Sequence, residues 1–146
     1  MPTVYLNIGT NLGDKLENIN KAISLIEKGI GSLSARSEIF ESSAWGFISE
    51  NTFYNICVAI ESCTDPYNLL KIIKDIECEM GSSIHRTPSG EYADRIIDID
   101  IIAIDDLVIT SPELTIPHTH LLDRPFFFIP LKQVAPYWEY PVKTKS

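Results

Sequence analysis

Asp94-Arg95-Ile96-Ile97-Asp98-Ile99-Asp100-Ile101-Ile102 alternates apolar and acidic side chains with a period of two. That period belongs to a β-strand, whose side chains point to opposite faces in turn. Ile97, Ile99 and Ile101 share one face and can bury it. Asp98 and Asp100 share the other, about 6–7 Å apart along the strand. Two carboxylates side by side on a core strand repel each other, and a strand built only for packing gains nothing from them. A hard dication removes the repulsion and takes both groups as oxygen ligands. Mg²⁺ in particular combines one or two carboxylates with substrate phosphates and water. A lone D-x-D also fits a half-exposed strand with a solvated acidic face, so the neighbouring segments have to decide between the two.

Upstream of the acidic strand, Ser82 to Ala93 is a polar loop with Pro88 and Gly90. A flexible loop at that position is where a lid would sit. Before it, Asp65-Pro66 starts a helix, with the acid as cap and proline at the first position. Leu69, Leu70, Ile73, Ile76 and Met80 form its apolar stripe, Gly81 ends it, and Glu77 lies on it with solvent exposure as the default expectation. Phe53 to Glu61 reads as a strand with Tyr54, Ile56, Val58 and Ile60 on one face and Phe53, Asn55 and Cys57 on the other. Asn55 is an amide in an apolar strand. It is either a satisfied structural group or a partner for a flat polar ligand. Ser34 to Ser42 reads as one strand, followed by a loop carrying Trp45, Gly46 and Phe47. At the start, Val4 to Ile8 alternates as a first strand. Gly9 and Gly13 read as turn glycines or as the lining of a ligand site. Asp14 and Glu17 form a capping box for a helix over Lys15 to Lys28, ended by Gly29 and Gly31. Neither G-x-x-x-x-G-K-[ST] nor G-x-G-x-x-G occurs.

Downstream, Asp105-Asp106 predicts a turn into Leu107-Val108-Ile109, a hairpin strand. Ser111 to His118 is extended and marked by Pro112 and Pro117, and a short helix is expected near Leu121. The resulting order, β-α-β-β-α-β plus a hairpin strand, predicts an α+β, ferredoxin-like antiparallel sheet with helices on one face. The fold alone assigns no function.

The chain has 146 residues, enough for one domain with a real core, and we read 1–146 as that domain. With 45% hydrophobic and 22% charged residues it has the composition of an ordinary globule. The formal net charge of −8 argues against a nonspecific nucleic-acid or anionic-membrane binder. A small phosphorylated ligand remains compatible, because a dication and a few arginines reverse the sign locally. Three cysteines without a C-x-x-C, and no visible signal peptide, predict a reduced cytoplasmic protein. Nothing calls for an obligate partner, so a monomer is expected.

A second constellation accompanies the acid pair: Arg95 before it, then His118 and Arg124 after it. Arginine forks suit phosphate oxygens and stay charged. His118 is otherwise a plain loop histidine. His118-Thr119-His120 lacks the thiol or third ligand of a transition-metal site. Phe53, Trp45, Tyr92 and Phe126 add flat aromatic surface.

Tyr5 to Asp14 (YLNIGTNLGD), Phe53-Tyr54-Asn55, Asp94 to Asp100 (DRIIDID), Pro117-His118 with Arg124-Pro125-Phe126, and Pro130-Leu131 with Ala135-Pro136 together resemble the 6-hydroxymethyl-7,8-dihydropterin pyrophosphokinases of folate biosynthesis. The resemblance implies transfer of the β,γ-pyrophosphoryl unit of ATP to the pterin hydroxymethyl oxygen, releasing AMP, with two Mg²⁺ ions. It implies that Asp98 and Asp100 bind both ions and that Arg95 and Arg124 contact the phosphates as catalytic residues. Glu77, Thr115 and His118 would contact ATP with them. It also implies a pterin stacked between Phe53 and Phe126 and hydrogen-bonded by Asn55. Ser42, Ala44 and Trp45 would offer main-chain bonds to the ring, and Tyr92 would close over it. Ser82 and Glu113 stand where relatives are often basic, with Arg86 a possible replacement, and Thr119 where some carry an aromatic. The other readings of the same carboxylates are a Mg²⁺-dependent phosphohydrolase and a noncatalytic binding module.

Overall fold

The computed structural model describes residues 1–42, 52–81 and 96–141. The elements run β1 (Thr3–Thr10), α1 (Lys15–Gly29), β2 (Ser32–Arg36), β3 (Phe40–Ser42), β4 (Phe53–Glu61), α2 (Pro66–Glu79), β5 (Asp98–Ile104), β6 (Ile109–Thr110), β7 (Thr115–Ile116) and α3 (Pro125–Val134). The main sheet has the order β2-β4-β1-β5, with β3 also on β4, and every pairing is antiparallel. This is the expected α+β, ferredoxin-like arrangement.

Both long helices start where their caps predict. Asp14 accepts from Glu17 N at 3.1 Å, and Asp65 accepts from Tyr67 N at 3.1 Å and Asn68 N at 3.3 Å. Each cap satisfies backbone donors that the first turn leaves unpaired. Gly81 follows α2 at φ +89, a conformation open to glycine at little cost.

One face of the sheet packs Leu6, Ile8, Ile56, Val58, Ile60 and Ile99 against α1 and α2. Ile19 and Ile26 of α1, and Leu69 and Ile73 of α2, are buried there. The helices do not all lie on that face, contrary to expectation. On the other face, Cys57 and Ile102 meet Phe127 and Leu131 of α3, together with Leu121. The reason lies in the strands themselves. Residues 55–60 of β4 and 101–104 of β5 are buried at every position, not at alternate ones, and a strand buried on both sides needs cover on both.

Two further expectations change. Ser34–Ser42 is two strands, not one. Ser37 Oγ accepts from Cys57 N at 2.9 Å, so a side chain takes the place of a ladder carbonyl and the strand breaks there. Residues 107–109 do not return along β5. Asp105 makes the turn, but Leu107 and Val108 stay exposed, and β6 pairs with β7 as a separate hairpin. The Ser111 hydroxyl holds that hairpin, donating to Leu114 O at 3.1 Å and accepting from Leu114 N at 3.2 Å. The short helix begins at Pro125, after turns at 118–124 in which Leu121 N donates to His118 O.

β5 therefore ends the sheet among the described residues. Two side-by-side contacts serve its outer edge: Glu77 Oε2 accepts from Ile99 N at 2.9 Å, and His118 N donates to Ile102 O at 2.9 Å. A one-residue slip in the β1–β5 register between Tyr5 and Leu6 lies just beyond the acid pair.

Candidate active site

A cleft of about 460 Å³ lies over β1, β4 and β5 on the α3 side of the sheet and continues round the β5 edge to α2, where Leu70, Ile73, Lys74 and Glu77 line it. Its floor follows from register. Gly9 lies opposite Asn55 on β4 and opposite Asp98 on β5, while Asn7 lies opposite Asp100. Cross-strand partners share a face, so these side chains meet on one surface.

Asn55 is 3% exposed, and its Nδ2 donates to Ser42 Oγ at 3.2 Å. A Cβ built on Gly9 would sit 2.8 Å from Asn55 Oδ1. Gly9 is thus a strand residue whose missing side chain makes room for the amide, and of the two glycines it is Gly13, at φ +68, that serves the turn. Phe53 lies two residues before Asn55 on the same face, and both line the cleft together with Phe126.

Asp98 and Asp100 are half-buried. Asp100 Oδ1 stands 4.0 Å from His118 Nε2. His118 Nδ1 accepts from His120 N at 3.0 Å, so in the neutral ring the proton is on Nε2. Burial pushes the His118 pKa down to about 4, and the nearby Arg124 guanidinium adds to the shift. His118 is therefore a neutral donor at ordinary pH. Its ring packs edge-on against Phe127 with centroids 4.8 Å apart. His120 Nδ1 in turn lies 3.0 Å from Asp123 Oδ2, and that hydrogen bond holds the Asp123 carboxyl below its usual range. Arg124, 9% exposed, opens α3, with its guanidinium carbon 5.2 Å from the Phe127 ring centroid and 5.8 Å from that of Phe126. Packing on aromatic faces suits the delocalised guanidinium and orients it.

The expected ATP-side residues Glu77, Thr115, His118 and Arg124 border this cleft, as do Asp98 and Asp100. So do Ser42, Phe53, Asn55 and Phe126 of the expected pterin set. Glu77 is half-buried, not solvent-exposed, and caps the β5 edge. Ala44, Trp45, Tyr92 and Arg95 lie outside the described residues, as do Ser82 and Arg86. Three polar lining residues were given no role from the sequence. Asn7 was visible as a polar side chain on the same strand face as Gly9. Lys74 was visible as a base one turn before Glu77 on the same helix face. His120 carried no sequence signal beyond its spacing from His118.

The charge balance of the lining bears on what can bind. Glu77, Asp98, Asp100 and Glu113 face Lys74 and Arg124, four carboxylates against two cations among the described residues. Bare triphosphate would be repelled by that surface. The acid pair offers only oxygen donors, and no group of three or more His, Cys, Asp or Glu that could hold a metal occurs among the described residues. Two carboxylates completed by substrate oxygens and water fit Mg²⁺ better than Zn²⁺, which is usually held by three or four protein ligands drawn from Cys, His and carboxylate.

A family model described as 7,8-dihydro-6-hydroxymethylpterin-pyrophosphokinase (HPPK) matches residues 5–136. A 2-amino-4-hydroxy-6-hydroxymethyldihydropteridine pyrophosphokinase of Porphyromonas gingivalis is 38% identical over 142 residues, covering 97% of this chain and 95% of that protein. One of the same name from Aquifex aeolicus is 37% identical over 145 residues, covering 99% of this chain and 88% of that protein. The crystal structure of a Plasmodium falciparum HPPK-DHPS triple mutant superposes with a TM-score of 0.74 at 17% identity. That match covers 95% of this chain and 42% of the larger one, and it establishes a shared fold. With a family model across most of its length and relatives at this identity over nearly all of it, the chain belongs to the HPPK family.

Proposed function

We propose that this chain transfers the pyrophosphoryl group of ATP to the hydroxymethyl oxygen of 6-hydroxymethyl-7,8-dihydropterin, releasing AMP, in folate biosynthesis. The observation that carries the reading is the shared floor of the cleft. Asp98 and Asp100 line one cleft with Arg124, His118, Asn55, Phe53 and Phe126, which supports a charged donor site next to a flat acceptor site.

Asp98 and Asp100 would hold Mg²⁺, two ions by the family resemblance. Held there, Mg²⁺ would supply charge neutralisation of the triphosphate. The remaining work falls to the chain. Asn55 hydrogen-bonds the pterin edge, while Phe53 and Phe126 flank its ring. Arg124 donates to phosphate oxygens, and His118 adds one neutral N–H from Nε2. Phosphoryl-type transfer needs placement and charge stabilisation more than a strong protein nucleophile. The hydroxymethyl oxygen forms a bond to the β-phosphorus as the bond from that phosphorus to the α,β-bridging oxygen breaks. AMP leaves with the electron pair, and the hydroxyl proton passes to Asp98 or to water. Arg95 and Tyr92 complete the set in this reading by supplying a phosphate contact and closure over the ring.

The protein is proposed to act as a cytoplasmic monomer of one domain. Cys57, Cys63 and Cys78 are free thiols, and no helix of the described residues is long and apolar enough to cross a membrane. The reaction is followed by chromatography of nucleotides with ATP, Mg²⁺ and the pterin. AMP and pterin diphosphate in equal amounts are expected. Formation of ADP, or ATP hydrolysis independent of pterin, would overturn the proposal, the latter in favour of a phosphohydrolase.

A further inference from the structure

Asn7 sits in the middle of β1, the central strand, and is 1% exposed. Its neighbours on the strand, Leu6 and Ile8, face the opposite side and are fully buried. A polar amide at such a position needs a specific partner, because an unpaired buried amide costs free energy that packing does not return. The partner is a backbone group of the first turn of α3: Asn7 Nδ2 donates to Phe126 O at 2.8 Å. The bond joins residues 119 positions apart in sequence. It pins α3 to the sheet at the residue whose ring lines the cleft.

The consequence follows from what else that turn carries. Arg124 precedes Phe126 by two residues, and its guanidinium lies against the rings of Phe126 and Phe127. On the sheet side, Asn7 is directly opposite Asp100. One amide therefore spans the acid strand and the aromatic wall. We infer that Asn7 is a positioning residue that sets the Phe126 ring over the acceptor half of the cleft, so that pterin affinity depends on the Asn7–Phe126 hydrogen bond. This rests on the acceptor site proposed above. It assigns Asn7 no contact with substrate.

Phe127 and Leu131, the other anchors of α3, are buried against Cys57 and Ile102. Loss of the Asn7 bond therefore leaves α3 docked but its first turn free to shift. A shift of that kind reads out in ligand affinity and not as unfolding.

The test is calorimetric titration of the full-length protein with a nonhydrolysable ATP analogue plus Mg²⁺, and then with the pterin. It is run on wild type, Asn7→Ala, Phe126→Ala and the double variant. The expected result is a pterin Kd raised roughly tenfold in Asn7→Ala, the order set by leaving one buried carbonyl without its donor, with a smaller loss of nucleotide affinity, because Arg124 caps the same turn but Asp98 and Asp100 on β5 do not move with it. On the Phe126→Ala background, Asn7→Ala should add less than about twofold, because the ring it positions is gone. Unchanged pterin affinity in Asn7→Ala, or a full penalty persisting on Phe126→Ala, overturns the inference. Parallel loss of both ligands does the same, since that marks a merely structural residue. If Asn7→Ala does not fold, Asn7→Ser is read in its place; its hydroxyl is too short to reach the carbonyl. Failure of the wild type to bind pterin at all would refute the acceptor site itself, which is a different outcome from any of these.

Discussion

Gly9→Ala should cripple acceptor binding while leaving the nucleotide side intact. The added methyl would lie 2.8 Å from Asn55 Oδ1 and 3.8 Å from Phe53 Cδ1. The second distance is ordinary van der Waals contact, and the first is not. Ordinary contact begins at 3.4 Å, so the amide oxygen must retreat by 3.4 − 2.8, or 0.6 Å. Asn55 is 3% exposed and tied to Ser42, so it cannot swing freely. An off-rotamer side chain costs about 0.5–1.5 kcal/mol, and a stretched hydrogen bond about as much again. Together these come to about 1–3 kcal/mol, or roughly 5- to 150-fold in a dissociation constant. Fluorescence titration with the pterin, beside a nucleotide titration as control, measures the effect. Pterin affinity within twofold of wild type would show that Asn55 is not the acceptor contact, or that the β1–β4 register is wrong at this point. The first alternative is separated by Asn55→Ala, which should weaken the pterin by a similar factor.

Asp98→Ala should lower AMP formation by three orders of magnitude or more, on the order of an essential charge-stabilising group; turnover within tenfold of wild type would refute the metal assignment. Glu77→Ala should destabilise the fold by about 1–3 kcal/mol, because Ile99 N loses its acceptor at the β5 edge. Glu77→Gln, which keeps an acceptor, should lose much less, and urea denaturation would distinguish the two. In the ligand-free protein, stability should fall as the pH drops from about 6.5 towards 4. His118 has a folded pKa near 4 against 6.5 ordinarily, so in that window the unfolded chain holds more protons. The loss amounts to at most about 3 kcal/mol, and His118→Gln should remove most of it.

Much of the architecture could be read from residues alone, where a local signal had a local cause. The α1 and α2 starts came from Asp14 and Asp65-Pro66, and the strand over Phe53–Glu61 came from its own composition. What escaped depended on distant partners. The break between β2 and β3 arises because Ser37 reaches Cys57 on a neighbouring strand. The placement of α3 on the far face was implicit in Ile101-Ile102, where consecutive apolar residues demand cover on both sides, but no pattern within α3 points to that face. The acid pair, Arg124, His118 and Asn55 were visible as unusual residues in otherwise ordinary segments. Asn7 drew no attention, because its partner is a backbone carbonyl and leaves no trace in side-chain pattern. Lys74 shares a helix face with Glu77 by spacing alone, but that the face turns toward the β5 edge is legible only in the fold.

The acid strand has two owners. From Ile97 to Ile101, odd-numbered residues pack into the core, Ile99 and Ile101 showing only an edge to the cleft, while Asp98 and Asp100 look into it. Replacing each residue of that run by alanine and plotting melting temperature and turnover side by side should trace two interleaved sawteeth, out of step by one residue. Such a division would let thermal tolerance drift at the apolar positions of this short ribbon while the chemistry holds the acid positions fixed.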